Sequence, residues 1–166
     1  VTIEDTASTP DGGVLTLVDA GSSFKVARFR PDGAIDTGFG SGGVATLPPA
    51  LNFTGAICSG PNGEPVADGR NVANQMTAVR LTSTGSTDPT FDGDGTAIVT
   101  TLGAGTKCST SQTGEVVIAT STKIIRLTPA GAVDSGFAGG AIVLPVSASV
   151  EILTVDSAGR VLYDLE

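Results

Sequence analysis

Two glycine-rich stretches of this sequence carry residues at spacings that are used in ligand binding. Residues 38–43 read Gly-Phe-Gly-Ser-Gly-Gly and match the letters of the dinucleotide-binding pattern G-x-G-x-x-G. That pattern holds a pyrophosphate only where a strand passes into the N-terminus of a helix, and here Pro48 and Pro49 soon follow. We therefore expect no cofactor at residues 38–43.

Asp92 and Asp94 alternate with glycines, as carboxylates do at the start of a calcium-binding loop. An EF-hand loop needs glycine at its sixth position and glutamate at its twelfth, where this chain has Ala97 and Gly103. We interpret the stretch as an acidic turn and predict no metal site. The 17 acidic residues also allow a carboxylate pair that hydrolyses glycosides, but their number does not show that any two lie together.

The composition excludes several classes of protein. The 166 residues include no histidine, so imidazole catalysis is excluded, and no G-x-S-x-G nucleophile elbow occurs. A net charge of -8 disfavours binding to nucleic acid and to anionic membranes, and no apolar run approaches the roughly 18 residues of a membrane helix. We predict that the protein is not an enzyme, has no catalytic residue, binds no nucleic acid and does not insert into a membrane.

Four residue types recur three times at fixed spacing, which indicates a repeat protein. Each copy has Arg, then Gly five residues later, Asp three later and Phe three later, and the copies are offset by 52 and 46 residues. The anchors are Arg28, Gly33, Asp36, Phe39, Arg80, Gly85, Asp88, Phe91, Arg126, Gly131, Asp134 and Phe137. A second glycine marker recurs at Gly12, Gly63, Gly114 and Gly159, and it indicates the start of a fourth copy.

The segments between these markers are short runs rich in Val, Ile and Thr, bounded by Gly, Pro, Asn, Asp and Ser, which is typical of β-strands. No window supports a helix. Four antiparallel strands in each copy predict an all-β, β-propeller-like fold with three four-stranded blades and a partial fourth. The predicted strands are 2–7, 14–19, 24–30, 44–47, 53–59, 64–69, 75–82, 96–101, 106–110, 115–120, 122–128, 141–145, 150–155 and 160–165. We predict one repeat array over residues 1–166, with repeats at about 1–51, 52–103 and 104–148 and a partial repeat at about 149–166.

The anchors have structural roles in this interpretation. The recurring Phe is the largest apolar side chain of each repeat and is expected to be buried between neighbouring sheets. The recurring Arg and Asp are expected to pair or to satisfy backbone groups of the loops, and the alternative is a ring of such residues around a ligand. The recurring Gly is expected to take a positive φ in a tight turn.

Residues 26–40, 79–91 and 125–137 resemble the bacterial delta-60 repeat, a propeller-like module of large surface or secreted proteins. The shared signature is an Arg-bearing strand followed by Asp-Gly-x-Leu-Asp-x-x-Phe-Gly. The sequence departs from it at Thr87, where the family is apolar, and at Asp92 and Ala138, where a Gly usually follows the Phe. The resemblance implies a propeller fold, an extracellular or cell-surface bacterial protein and no catalytic motif.

Cys58 and Cys108 lie at nearly equivalent points of two repeats, five residues before Gly63 and six before Gly114. First strands of adjacent blades line the axis of a propeller, so the two side chains are expected to be neighbours. A bridge needs Cα atoms within about 7 Å. A disulfide, two buried thiols and a metal or redox site all remain open.

We predict a non-catalytic structural or protein-interaction module of a secreted or surface bacterial protein, part of a larger propeller. The alternative is a carbohydrate-binding or carbohydrate-hydrolysing propeller. An exposed aromatic side chain in a polar groove would favour that alternative, and a channel lined by small residues and Thr would favour the module. The expected partner is the remainder of a longer propeller chain or another protein chain, pairing with the open C-terminal edge strand. The sequence does not identify a small-molecule ligand.

Overall fold

The computed structural model describes residues 1–49, 51–102, 105–144 and 150–165, and nearly all of their regular secondary structure is β-strand. The exception is one 3-10 turn at Ala138–Gly140. Among the described residues, no helix has the length and apolar character that crossing a bilayer requires. The strands are β1 (Thr2–Ser8), β2 (Val14–Asp19), β3 (Phe24–Phe29), β4 (Val44–Thr46), β5 (Phe53–Ser59), β6 (Pro65–Arg70), β7 (Gln75–Arg80), β8 (Thr96–Leu102), β9 (Lys107–Thr110), β10 (Val116–Ala119), β11 (Lys123–Leu127), β12 (Ala141–Val143), β13 (Val150–Val155) and β14 (Val161–Leu165).

The strands form antiparallel sheets in the order of the sequence. Blade 1 is β1–β4, blade 2 is β5–β8, blade 3 is β9–β12, and β13 and β14 form a two-stranded sheet, blade 4. The first strands of successive blades contact one another, β1 with β5, β5 with β9 and β9 with β13. The prediction of an all-β, propeller-like fold with three four-stranded blades and a partial fourth is therefore confirmed. The predicted end of one strand at Pro145 and the repeat boundaries at 103 and 148 lie outside the described residues.

The core lies between the blades. Successive side chains of a strand point to opposite faces, so a blade with two neighbours needs apolar residues in consecutive positions. In β6, Val66 faces blade 3 and Ala67 faces blade 1. In β10, Val116 faces blade 2 and Val117 faces blade 4. We call the face of each blade toward the next blade its front face, and the other its back face.

Left-handed residues fix the turns between the third and fourth strands of each four-stranded blade. Gly33, Gly85 and Gly131 have φ values of +81°, +89° and +90°, as the sequence predicts. A Cβ on Gly85 would lie 2.8 Å from the backbone nitrogen of Gly40 in blade 1, so glycine there also permits close contact between blades. Asp92 and Ala138 replace the glycine of the repeat and still have φ values of 51° and 49°. The turn conformation is thus kept where the side chain makes it less favourable.

The recurring Phe residues are not equally buried. Phe39 and Phe91 are 1% and 0% exposed, as predicted. The prediction of burial is wrong for Phe137, which is only half-buried. Its ring packs against the cluster between blades 3 and 4, and there the described part of blade 4 has two strands where the other blades have four. The ring is therefore covered on fewer sides.

We expect Phe91→Ala to lower the free energy of unfolding by about 3 to 5 kcal/mol, because it leaves a cavity in the core between blades 2 and 3. Phe137→Ala is the matched control and should cost clearly less, since its ring is already partly in water. Urea denaturation of the two variants and the parent measures both effects. Equal stability of Phe91→Ala and the parent would contradict the packing role.

Candidate functional site

The recurring Arg and Asp pair within each repeat. Arg80 Nε lies 2.7 Å from Asp88 Oδ2, and Arg126 Nε lies 2.7 Å from Asp134 Oδ2. The guanidinium groups of Arg80 and Arg126 also lie 4.6 Å from the ring centroids of Phe91 and Phe137, as in cation–π contacts. The recurring Arg, Asp and Phe of repeats 2 and 3 thus form one local cluster in each repeat.

The first repeat has a looser version of the same pair. Arg28 Nε lies 3.4 Å from Asp36 Oδ2, and its Nη2 donates a 2.9 Å hydrogen bond to Asp11 in the turn between β1 and β2. The side chains of Arg28 and Arg80 are each only 12% exposed. These guanidinium groups are therefore largely enclosed and occupied by carboxylates.

The same arginines cross to the next blade. Arg28 Nη1 donates to the carbonyl oxygen of Ser83 at 3.0 Å, and Arg80 Nη1 donates to that of Pro129 at 2.7 Å. These acceptors lie in turns of the following repeat. The structure therefore directs Arg28 and Arg80 into contacts between blades, which is not the arrangement of a ring around a central ligand.

Asp88 stays ionised in this cluster. Burial acts to raise the pKa of its carboxyl group, but hydrogen bonds from the Thr90 hydroxyl and backbone N–H and from Arg80 together hold that pKa below its ordinary value. The ion pair is partly buried and bonded on several sides, so Asp88 is a structural anion and not a proton donor near neutral pH.

Cys58 and Cys108 form a disulfide between blades 2 and 3, with their Cα atoms 5.4 Å apart. Cys58 is paired with Val66 and lies on the front face of blade 2. Cys108 is paired with Ile118 and lies on the back face of blade 3. Their positions differ by one residue relative to the turn glycines, and one residue reverses the face of a strand. The offset therefore makes the two sulfur atoms meet.

A groove of about 450 Å³ runs along the first strands of the three four-stranded blades. It is lined by Asp5, Thr6, Ala7, Ser8, Ile57, Cys58, Ser59, Lys107, Cys108, Ser109 and Thr110. Most of these side chains are small or carry a hydroxyl group, and no aromatic side chain is among them. The carboxylate of Asp5 already has a partner within the protein, since its Oδ2 accepts a 2.9 Å hydrogen bond from the backbone nitrogen of Ile57.

A second groove, of about 410 Å³, lies between the turns of blades 2 and 3 and contains two carboxylates, Glu64 and Asp88. Both oxygens of Glu64 accept 2.9 Å hydrogen bonds from Asn62. Burial acts to raise the pKa of Glu64, but the bonds from Asn62, a backbone N–H and the charge of Arg80 hold that pKa below its ordinary value. A glycosidase needs one carboxyl group with a raised pKa as its general acid, and neither carboxylate meets that need.

The other sequence candidates show no assembled site. Asp94 Oδ1 accepts a hydrogen bond from the backbone nitrogen of Thr96 at 2.8 Å, as in an ordinary turn. In the part of the chain that the structure describes, no three His, Cys, Asp or Glu side chains are grouped so as to hold a metal ion. Residues 38–43 lead into strand β4 and not into a helix.

Sequence reasoning missed Asp68, a fully buried carboxyl group in β6. It lies on the front face of blade 2, where the equivalent residues of blades 1 and 3 are Leu17 and Ala119. Neither of its oxygens has a hydrogen-bond partner of good geometry among the described residues. The one available signal was an acidic residue at a position that is apolar in the other two repeats.

Glycines enclose this carboxyl group. A Cβ on Gly55 or on Gly105 would lie 2.5 Å or 2.6 Å from Asp68 Oδ1. Burial raises the pKa of Asp68 to about 8, the backbone N–H groups of Ala56 and Gly105 oppose that rise, and the negative charge of Asp5 adds to it. Asp68 is therefore protonated at neutral pH.

Asp68 should make the stability of the fold depend on pH. Its folded-state pKa lies above the ordinary value of 3.8, so the folded protein binds this proton more tightly than the unfolded chain does. Stability should fall by about 1.4 kcal/mol per pH unit as pH rises from about 4 to about 8 and should level off above that. Asp68→Asn removes this slope.

The measurement is the free energy of unfolding of the parent and Asp68→Asn across that pH range, by urea denaturation. Asp92→Asn, at an exposed turn, is the control and should follow the parent. Parallel profiles for the parent and Asp68→Asn would show that Asp68 does not titrate with folding.

Comparisons with known proteins agree with the fold. Residues 10–39 match the family described as a domain of unknown function (DUF5122) beta-propeller. No curated protein matches the chain. A solved protein of unknown function from Bacteroides caccae is similar over 97% of this chain and 52% of its own, with a TM-score of 0.56 and 10% identity. PorZ, a surface component of the type-IX secretion system of Porphyromonas gingivalis, is similar over 94% of this chain and 17% of its own, with a TM-score of 0.44 and 8% identity.

The chain therefore spans about half the length of the B. caccae protein. At 10% identity this likeness concerns the fold alone. Together with the match over residues 10–39, it supports a β-propeller-like repeat protein.

Proposed function

We propose that this chain is a non-catalytic structural and protein-interaction module, a set of blades within a larger propeller assembly of the delta-60 type. The observation that carries this proposal is the lining of the groove along the first strands. Thr6, Ser8, Ser59, Ser109 and Thr110 supply small hydroxyl-bearing side chains there, and the lining contains no aromatic side chain. Sugar-binding sites commonly stack a ring against an aromatic side chain, and this groove offers none. Phe24 lines a separate groove beside β3, but its ring is half-buried and packs against the core between blades 1 and 2.

The state of the carboxylates supports the same conclusion. Glu64 and Asp88 share a groove but are held ionised by hydrogen bonds and arginine. Asp68 has the raised pKa that a general acid needs, but it is fully buried between two glycines and does not reach either groove. The raised pKa and the accessible carboxylates therefore lie at different places, which disfavours glycoside hydrolysis.

The disulfide supports a location outside the reducing cytoplasm. Disulfides persist in oxidising compartments, such as the periplasm and the cell surface of bacteria, and are rare where thiols are kept reduced. Cys58 and Cys108 are joined across two blades and account for both cysteines of the chain. The bond is therefore consistent with the surface or secreted location that the resemblance to a bacterial repeat implies, and the proposal includes that location.

The open edge of blade 4 supports the interaction role. β14 pairs with β13 on one side, and no described strand pairs with its other side. Leu162 and Tyr163 of β14 are 49% and 40% exposed. An exposed apolar edge strand has unpaired backbone groups and readily adds another strand. The partner in this proposal is further propeller structure, from the same chain or from another.

Glycan binding and hydrolysis assays test the non-catalytic part of the proposal. We expect no turnover of chromogenic glycosides and no saturable binding in a panel of soluble polysaccharides, with Glu64→Gln and Asp88→Asn unchanged from the parent. Hydrolysis that either variant abolishes would overturn the proposal in favour of a glycosidase. Saturable binding that Lys107→Ala or Asp5→Asn abolishes would favour a carbohydrate-binding propeller.

Loss of the disulfide should weaken the fold but leave its architecture intact. The bond closes a loop with a sequence separation of 50, so the double variant Cys58→Ser/Cys108→Ser should be less stable by about 2 to 4 kcal/mol. Urea denaturation with and without a reducing agent measures the effect. The reducing agent should destabilise the parent and not the double variant, and equal behaviour of the two would show that no bond forms.

A further inference from the structure

Contacts between blades follow one pattern at both complete interfaces. An arginine donates to one turn carbonyl, and the residue after the recurring Phe donates its backbone N–H to the next carbonyl. Between blades 1 and 2 the second bond runs from Gly40 N to Thr84 O at 2.8 Å. Between blades 2 and 3 it runs from Asp92 N to Ala130 O, also at 2.8 Å. The residue that directly follows the second acceptor is a left-handed glycine, Gly85 after Thr84 and Gly131 after Ala130.

The donor half of this contact is formed a third time on blade 3. Arg126 is paired with Asp134 and lies over Phe137, as Arg80 is paired and placed in blade 2. Ala138 has a φ of 49°, close to the 51° of Asp92. Among the described residues, none accepts a hydrogen bond from the backbone nitrogen of Ala138 or from Arg126 Nη1. We call Arg126, Phe137 and Ala138 the latch surface.

We propose that the latch surface binds a turn with two consecutive backbone carbonyls followed by a left-handed glycine, carried by a two-stranded β-hairpin that pairs with β14. This inference rests on the proposed function, and it adds the chemistry by which a partner is selected. The two interior interfaces are continuous with this surface and supply its template.

The space that remains beside blade 3 indicates that the occupant is a two-stranded hairpin. β13 and β14 pack against blade 3 along its inner half, with Leu153, Val155, Val161 and Leu165 in the shared cluster. A complete four-stranded blade would collide with them, so the occupant is an outer pair of strands. In blades 1 to 3 the third strand pairs with the second, and by the same order the incoming strand pairs with β14.

The glycine follows from the closeness of the contact. A Cβ on Gly85 would lie 2.8 Å from Gly40 N, and a Cβ on Gly131 would lie 2.9 Å from Asp92 N. Gly33 has the same left-handed φ, but a Cβ added to it would have no atom within 4 Å, because no described blade lies behind it. A partner with any other residue at this point would push against the backbone nitrogen of Ala138 and lose the hydrogen bond.

An extended chain tests the proposal. The chain already contains a hairpin of the required kind, formed by β7, β8 and the turn between them. The register of the fusion follows from the turn glycines, because Glu166 lies seven residues after Gly159 and Arg70 lies seven residues after Gly63. A copy of residues 71–102 is therefore fused after Glu166, in register with the repeat. Two further versions of the extended chain carry Gly85→Ala or, as the matched control, Ser86→Ala within the appended copy.

Hydrogen exchange of the Ala138 amide is the main readout, with the β5 amides as an internal reference for folding. We expect the appended hairpin to slow hydrogen exchange at the Ala138 amide by about tenfold or more. It should also slow exchange of the β14 amides that point away from β13. The Ser86→Ala copy should protect Ala138 equally, whereas the Gly85→Ala copy should protect β14 and leave Ala138 fast.

Two results separate the failure of this inference from the failure of the proposed function. Protection of β14 with Ala138 unprotected, or equal protection of Ala138 by the glycine and alanine copies, would overturn the latch and leave blade addition standing. No protection of either β14 or Ala138 by the unaltered copy would overturn both.

Discussion

Burial of each sheet against the next is the interaction on which the rest of this structure depends. The chain has few aromatic residues, 4% of its sequence, so its core is made mainly of aliphatic strand residues that interdigitate across blade interfaces. Val66 and Ala67 lie in different interfaces although they are adjacent in β6. A single sheet would expose both apolar faces to water, and stacking the sheets is what removes them from it. Each blade is therefore stabilised by packing against its neighbours rather than by contacts within its own sheet.

Polar contacts set the spacing and orientation that this apolar packing needs. Hydrophobic burial is not directional, whereas a hydrogen bond from Arg80 to the Pro129 carbonyl fixes the end of β7 relative to a turn of blade 3. Phe91 fills the space beneath the guanidinium group and excludes water from it. The recurring Arg, Asp and Phe thus combine packing and charge in one cluster, and the recurring Gly supplies the turn geometry at the same interfaces.

The interface between blades 2 and 3 differs from its neighbours in two ways that oppose each other. Asp68 replaces the leucine that fills the same place in blade 1, and a buried carboxyl group with no hydrogen-bond partner of good geometry among the described residues destabilises the folded state. The disulfide joins the same two blades and limits their separation in the unfolded chain. At the equivalent place between blades 1 and 2, Ala7 and Ile57 belong to one apolar cluster, and the backbone nitrogen of Ile57 donates a hydrogen bond to Asp5. The cross-link therefore lies at the same interface as the buried carboxyl group.

The sequence by itself determined the strands, the repeat period and the turn glycines of this protein, because these depend on local preferences and on spacing along the chain. It also held the information for the disulfide, since an offset of one residue between Cys58 and Cys108 reverses their faces, but that offset has meaning only once adjacent blades are known to face each other. Only the tertiary structure decided that Phe137 is half-buried, that Arg28 and Arg80 reach carbonyl oxygens of the next blade, and that Asp68 is enclosed by Gly55 and Gly105. Each of these depends on which residues of a different repeat lie nearby, and a side chain's burial and charge state are set by such neighbours and not by its own position in the sequence.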